Sequence, residues 1–212
     1  MIPDVLRFWG AAPSSNAAFI WISIVFLLAY LVGSIPSGIL ITKSFGLGKL
    51  TNIGSGNTGA TNVLRTGNKK AAILTLLMDA GKGIIVVILT EKYLGITASH
   101  FAALGAFCGH IFSIFLLFKG GKGVATFLGI LLALNLYLGI IICSLWLIIA
   151  WLSKYSSLAS LISSFFTIIF LIYLKDMSFM WIILFMVLSI WFRHRENIVR
   201  LIRRNEAKIK LK

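Results

Sequence analysis

Long apolar blocks alternate with short polar segments along the whole chain of 212 residues. Seven blocks can be drawn, at 18–41, 71–90, 101–118, 124–134, 137–152, 158–174 and 177–192. Most approach the roughly 20 residues that a helix needs to cross hydrocarbon. The fourth is short, and only Asn135 and Leu136 separate it from the fifth. The expected architecture is all-α, a polytopic membrane protein of about seven transmembrane helices forming one domain over residues 1–212. A single long helix over 124–151 is the alternative and gives six crossings.

The polar segments choose between the two. With seven crossings, one face receives Lys43, Lys49, Arg65, Lys69 and Lys70, then Lys119 and Lys122, Lys154, and the eight bases between Arg193 and Lys212. The opposite face receives Arg7, Lys92 and Lys175. Sixteen bases against three mark the first face as cytoplasmic. The N-terminus then lies outside and the C-terminus inside. Six crossings would spoil the asymmetry.

Composition narrows the class. Hydrophobic residues make up 59% of the chain and charged residues only 12%, where a soluble domain carries about 25% charged. A water-soluble enzyme and a disordered chain are both excluded. The net charge of +14 would suggest nucleic acid in a soluble protein. Here the bases sit in short segments between apolar blocks, and they suit anionic lipid and anionic substrates instead. Cys108 and Cys143 lie inside apolar runs with no CxxC spacing, so they read as packing residues. The start of the chain shows no cleavable signal, because Arg7 is its only early base. No internal repeat is visible, which argues against repeat-built transporters.

The chemistry gathers on the cytoplasmic side. Gly54-Ser55-Gly56-Asn57-Thr58-Gly59-Ala60-Thr61-Asn62, followed by Arg65, combines a glycine backbone that can turn N–H groups towards an anion with hydroxyls and a planar guanidinium. A plain flexible loop is the bland reading. The stretch matches GxGxxG, yet no strand precedes it and no βαβ unit follows, so a dinucleotide site is rejected. Asp79 and Lys82 share a helix face. They are either a neutralised pair or a lysine offered to an anion. Gly109-His110 leads to Lys119-Gly120-Gly121-Lys122-Gly123, a second candidate anion cradle at a helix start. It is not a P-loop, because Gly123 stands where a magnesium-binding hydroxyl belongs. His110 reads first as a packed histidine.

In the tail, His194 and Asn197 share a helical face, with Arg200 and Glu206 following. A basic interfacial helix would explain the arginines but not His194, Asn197 and Glu206. Gly33-Ser34-Ile35-Pro36-Ser37-Gly38 should kink the first helix. Ser156-Ser157-Leu158-Ala159-Ser160 should start the sixth, its small residues serving helix packing. HxxxxD and GxSxG motifs are absent, and no acidic cluster suggests a metal. No cofactor is expected.

Taken in order, GSIPSG, GSGNTGATNVLR, DAGKG, GH…F…FKGGKGVAT, KYSSLAS and RHRENIVRL…E resemble the bacterial inner-membrane glycerol-3-phosphate acyltransferases that use acyl-phosphate. The resemblance spans about residues 33–206. It implies seven transmembrane helices, a cytoplasmic active face, and transfer of an acyl group from acyl-phosphate to the 1-hydroxyl of glycerol-3-phosphate, releasing phosphate. It implies catalytic roles for Ser55, Lys122 and His194. Substrate binding would fall to Gly54, Gly56, Asn57, Gly59, Thr61, Asn62, Arg65, Lys82, Gly120, Gly121, Gly123, Asn197 and Glu206. Lipid surrounds the protein, and no nucleic acid or obligate protein partner is implied. Two positions depart from the family pattern: Ser113 replaces a proline, and Arg204 replaces a glycine two before Glu206.

Acyl-phosphate is already activated, so positioning of two anions is the main task. Lys122 and the 54–62 loop are expected to hold the acyl-phosphate head, and Arg65, His194 and Asn197 the acceptor, with the reverse assignment open. His194 is the best side-chain base, the substrate phosphate the alternative, and Ser55 a minor candidate nucleophile. A transporter or flippase for an anionic metabolite, and a membrane subunit docking a partner by its basic tail, are the competing classes. The first would need polar residues through the outer half of the bundle. The second leaves the 54–62 loop unexplained.

Overall fold

The computed structural model describes residues 15–209. Arg7, the position of the N-terminus and the last bases, Lys210 and Lys212, lie outside the described residues. Within them all regular structure is helical: α1 Ser15–Ser34, α2 Ser37–Ser44, α3 Ala60–Leu64, α4 Lys69–Leu94, α5 Ile96–Ile111, α6 Val124–Leu134, α7 Leu136–Ser153, α8 Ser156–Leu174, α9 Met180–Arg193 and α10 Arg195–Ile202. Short 3-10 turns occupy Leu50–Asn52 and Ile114–Leu116. Five segments are long and apolar enough to cross a membrane, and α6 and α9 are shorter apolar helices.

The helix ends follow local chemistry. Pro36 separates α1 from α2, as a residue without an N–H should. The α4 helix starts earlier than the apolar pattern suggests, because the Asn68 side chain accepts from the Ala71 N–H at 3.0 Å. It ends at Gly95, whose φ of 88° is left-handed. The break between α6 and α7 falls on Asn135, which caps α7 by accepting from Leu138 N–H at 3.0 Å. The single 124–151 helix therefore does not form. The α5 helix stops at Ile111, short of the apolar block, because the chain turns towards the glycine loop through two left-handed residues, Leu117 and Phe118.

Small residues bring the helices close. A Cβ on Gly105 would stand 2.4 Å from the Phe26 carbonyl, and one on Gly109 2.1 Å from that of Tyr30. These contacts press α5 onto α1. Gly129 is as close to the Ala80 carbonyl, at 2.2 Å, and presses α6 onto α4. Phe107, Phe127, Ile130, Leu131, Ile182 and Met186 fill the core between them. Large apolar side chains such as Leu77, Leu147, Trp151 and Leu188 point outward and exposed, an arrangement suited to lipid.

One end of this bundle collects the polar segments. The Ile209 N–H donates to the Lys154 carbonyl at 2.7 Å, so the tail docks on the α7–α8 turn. The Ser113 hydroxyl donates to the Ser34 carbonyl at 2.5 Å, joining the α5–α6 loop to the α1–α2 break.

Candidate functional site

The glycine loop between α5 and α6 is shaped by close approach. A Cβ on Gly121 would lie 2.1 Å from His110 Nε2. Gly123 is left-handed at φ 88°, and a Cβ there would strike the Phe107 ring at 2.6 Å. Only glycine serves at either place. The loop delivers Lys122 to the tail, where its ammonium donates to the Asn197 Oδ1.

From there a polar chain runs outward. Asn197 Nδ2 donates to Glu206 Oε1 at 2.5 Å, and the Ser157 hydroxyl donates to the same oxygen at 2.8 Å. Arg200 Nε donates to Glu206 Oε2 at 2.7 Å. Three donors from α8 and the tail thus converge on Glu206, and its carboxylate ties these segments together. Burial raises its pKa, but the bonds from Arg200, Asn197 and Ser157 outweigh this and hold it below the usual carboxylate value. The turn that delivers Glu206 passes through Arg204 at φ 56°, closed by the Asn205 N–H donating to the Arg200 carbonyl at 2.8 Å. This chain thus builds with arginine a left-handed turn that favours glycine. Ser113 at φ −60° likewise holds the backbone shape of a proline.

Burial brings the Lys122 pKa down to about 8; Arg200 and Arg65 add to the fall, and Glu206 and Glu196 oppose it. His194 closes α9 and is 3% exposed. Its pKa falls to about 4, through burial first and the Lys122 charge second. Its Nδ1 lies 2.8 Å from the Ile190 carbonyl. A carbonyl can only accept, so Nδ1 carries the proton and Nε2 offers a lone pair.

The first loop is organised by Asn62. Its Oδ1 accepts from the Ser55 N–H and from Arg65 Nη1, both at 3.2 Å, while its Nδ2 donates to the Asn57 carbonyl at 2.8 Å and the Leu50 carbonyl at 3.2 Å. Asn57 Oδ1 accepts from the Gly59 N–H at 3.1 Å. Gly54 and Gly56 are left-handed. Arg65 folds back over Gly54, where a Cβ would meet its Cδ at 2.6 Å. Ser55 is exposed. Among the described residues its hydroxyl has no hydrogen-bonded base.

Lys82 sits deeper. Its Nζ donates to Asp79 Oδ1 at 2.9 Å and to the Ile35 carbonyl at 3.2 Å, and His110 Nδ1 lies 3.4 Å from the same carboxylate oxygen. A narrow cavity lined by Ser34, Ser37, Thr58, Lys82, His110 and Gly121 lies beneath the two loops. The structure therefore brings Lys122, His194, Asn197 and Glu206 into one cluster. It folds Ser55, Asn57, Asn62 and Arg65 into a second, and holds Lys82 in an internal pair. Ser157 and Arg200 also join the first cluster, and Arg193 borders it through the Gly120 carbonyl, in roles that the sequence pattern did not assign them. Ser157 reads as a packing residue and the arginines as membrane anchors. The nearness of KYSSLAS and the tail on the basic side was the available signal.

A family model described as glycerol-3-phosphate acyltransferase matches residues 23–204. A glycerol-3-phosphate acyltransferase of Dinoroseobacter shibae is 48% identical over 188 residues, covering 89% of this chain and 93% of its own. One from a Jannaschia species is 47% identical over 197 residues, covering 93% and 97%. Among solved structures, the crystal structure of PlsY, an integral membrane glycerol 3-phosphate acyltransferase, in its glycerol 3-phosphate form superposes with a TM-score of 0.83. It shares 35% identity and covers 89% of this chain and 96% of that one. Its lysophosphatidic acid form gives a TM-score of 0.79 at 34% identity, covering 88% and 94%.

Proposed function

The chain belongs to the glycerol-3-phosphate acyltransferase family, and on that premise we propose that it transfers the acyl group of an acyl-phosphate to the 1-hydroxyl of glycerol-3-phosphate. The products are 1-acyl-glycerol-3-phosphate and inorganic phosphate. It is a membrane acyltransferase.

The observation that carries it is the cationic cluster around Lys122. A lysine on a glycine loop stands beside a neutral histidine and within electrostatic reach of Arg65 and Arg200. Such a cationic site suits the phosphate groups of two substrates. Lys122 and the amides of the glycine loop hold the acyl-phosphate head, with Ser55 and the 54–62 loop completing its contacts. Arg65, His194 and Asn197 hold glycerol-3-phosphate. Gly120, Gly121 and Gly123 let the loop pack closely on α5, which leaves the Lys122 and Gly123 amides to meet the phosphate.

His194 is neutral at pH 7 and a weak base at a pKa of about 4. Its Nε2 accepts a hydrogen bond from the 1-hydroxyl and aims the oxygen at the carbonyl carbon. The C–O bond to the acceptor forms as the bond to phosphate breaks. Bond formation makes the hydroxyl proton strongly acidic; Nε2 takes it and hands it on to the departing phosphate, a far stronger base than this imidazole. Orientation of this kind supplies up to about 7–11 kcal/mol in the best cases.

Seven crossings, with the N-terminus outside and the site on the cytoplasmic face of the bacterial inner membrane, complete the proposal. Sixteen bases against three support that orientation. The short α6 crosses inside the bundle, packed by Gly129 against α4 and by Leu132 against Gly139 of α7, where its length need not match the lipid. Purified protein in lipid vesicles, given acyl-phosphate with and without glycerol-3-phosphate, tests the reaction through phosphate release and lysophospholipid product. Release without product, or product without any dependence on Lys122, would sink it.

A further inference from the structure

Arg193 ends α9, and its guanidinium faces the glycine loop. Nη2 donates to the Gly120 carbonyl at 2.7 Å and Nε to the Gly121 carbonyl at 3.2 Å. On the far side of the loop, the Gly120 N–H donates to the Ile111 carbonyl and the Gly121 N–H to the His110 carbonyl, both at 3.0 Å. The Gly120–Gly121 peptide is thus held at both of its polar ends. The next one, Gly121–Lys122, is held by Arg193 alone: among the described residues, the Lys122 N–H meets no acceptor.

Every described peptide is trans. In a trans peptide the carbonyl and the N–H point in opposite directions. A guanidinium bound to the Gly121 carbonyl therefore turns the Lys122 N–H away from Arg193. The Gly123 N–H and the first amides of α6 are likewise without backbone acceptors among the described residues. A peptide following glycine turns over easily, so the direction of this amide needs a holder.

We propose that Arg193 is a positioning residue: its planar fork locks the carbonyls of Gly120 and Gly121 and thereby presents the Lys122 amide, with those at the start of α6, to a substrate phosphate. The proposal rests on the phosphate-binding reading given above. It differs from a plain charge role. Lysine would keep the charge but could not span both carbonyls as a fork.

The test compares wild type, Arg193→Lys and Arg193→Ala in lipid nanodiscs. Binding of inorganic phosphate is read by ³¹P line broadening, beside acyltransferase kinetics. Arg193→Lys should weaken phosphate binding about tenfold or more and raise KM for the phosphate-bearing donor, as expected for lost charge-assisted bonds. Added guanidinium ion should restore binding to Arg193→Ala and not to Arg193→Lys. Unchanged phosphate affinity in Arg193→Lys would overturn the proposal. Amide exchange in the wild type keeps the question decidable if the variants fail to fold: phosphate should slow exchange at Lys122 and Gly123, and no slowing would count against it. Wild-type protein that binds phosphate yet transfers no acyl group would defeat the functional reading and leave the fork intact.

Discussion

The Lys122 ammonium donates to the amide oxygen of Asn197, 75 residues away in the sequence. The other end of that amide donates to Glu206. An ammonium can only donate and a carboxylate can only accept. The two charges therefore fix which way round the amide stands, and Asn197 joins them without letting them touch. Lys122 is held in place yet keeps its charge for an incoming anion. A direct lysine–carboxylate pair would spend that charge on itself.

This arrangement predicts a pH dependence. Lys122 is charged below a pKa of about 8 and neutral above it. Anion binding is lost as the pH rises, so kcat/KM should fall through about pH 8. In Lys122→Arg any remaining activity should show no such falling limb, because arginine stays charged. His194, with its pKa near 4, should contribute no rising limb near pH 6.5. A limb near 8 that persists in Lys122→Arg would assign it to another group.

Glu206 anchors the tail through Asn197, Arg200 and Ser157. Glu206→Gln removes the charge that holds Arg200 and cannot satisfy all three donors. We expect a loss of about 1.5–3 kcal/mol in stability, read as a lower melting temperature in detergent. The remaining folded enzyme should show a lower kcat/KM. An unchanged melting temperature would show that the anchor is dispensable.

Arg204 adopts a left-handed backbone at φ 56°, which costs an L-residue with a side chain roughly 1–2 kcal/mol. Glycine gives back part of that gain through its freer unfolded chain. Arg204→Gly should therefore stabilise the protein by about 0.5–1 kcal/mol, with activity unchanged. A lower melting temperature would mean that the arginine side chain contributes more than its backbone costs.

The pair Asp79 and Lys82 is buried and hydrogen-bonded within the bundle. Removing one partner leaves a buried charge, which costs about 3–5 kcal/mol. Asp79→Asn with Lys82→Met together should cost less than Lys82→Met alone. The double variant should keep the KM for both substrates. A raised KM in a folded double variant would instead place Lys82 against substrate.

Much of this was legible in the chain. Apolar blocks gave the helices, and Asn135 marked the α6–α7 break because an asparagine side chain can cap the helix that follows. The glycine runs and their neighbouring bases marked both loops. Other features depend on contacts between distant segments, which no local pattern carries. Glu206 reads as a substrate contact until the fold brings Ser157 and Arg200 to it. Arg193 looks like a stop-transfer charge until the α5–α6 loop lies beneath it. Lys82 reads either way until Asp79 and the Ile35 carbonyl are seen to hold it. Arg204 gives no sign of a left-handed turn, because arginine is not a residue that turn selects.

The most direct test of the central claim is the stoichiometry of phosphate release in lipid vesicles supplied with acyl-phosphate. No release is expected until glycerol-3-phosphate is added, then one phosphate for each 1-acyl-glycerol-3-phosphate formed, with both lost in Lys122→Ala. Rapid release in the absence of acceptor, with an acyl group trapped on Ser55, would contradict direct transfer.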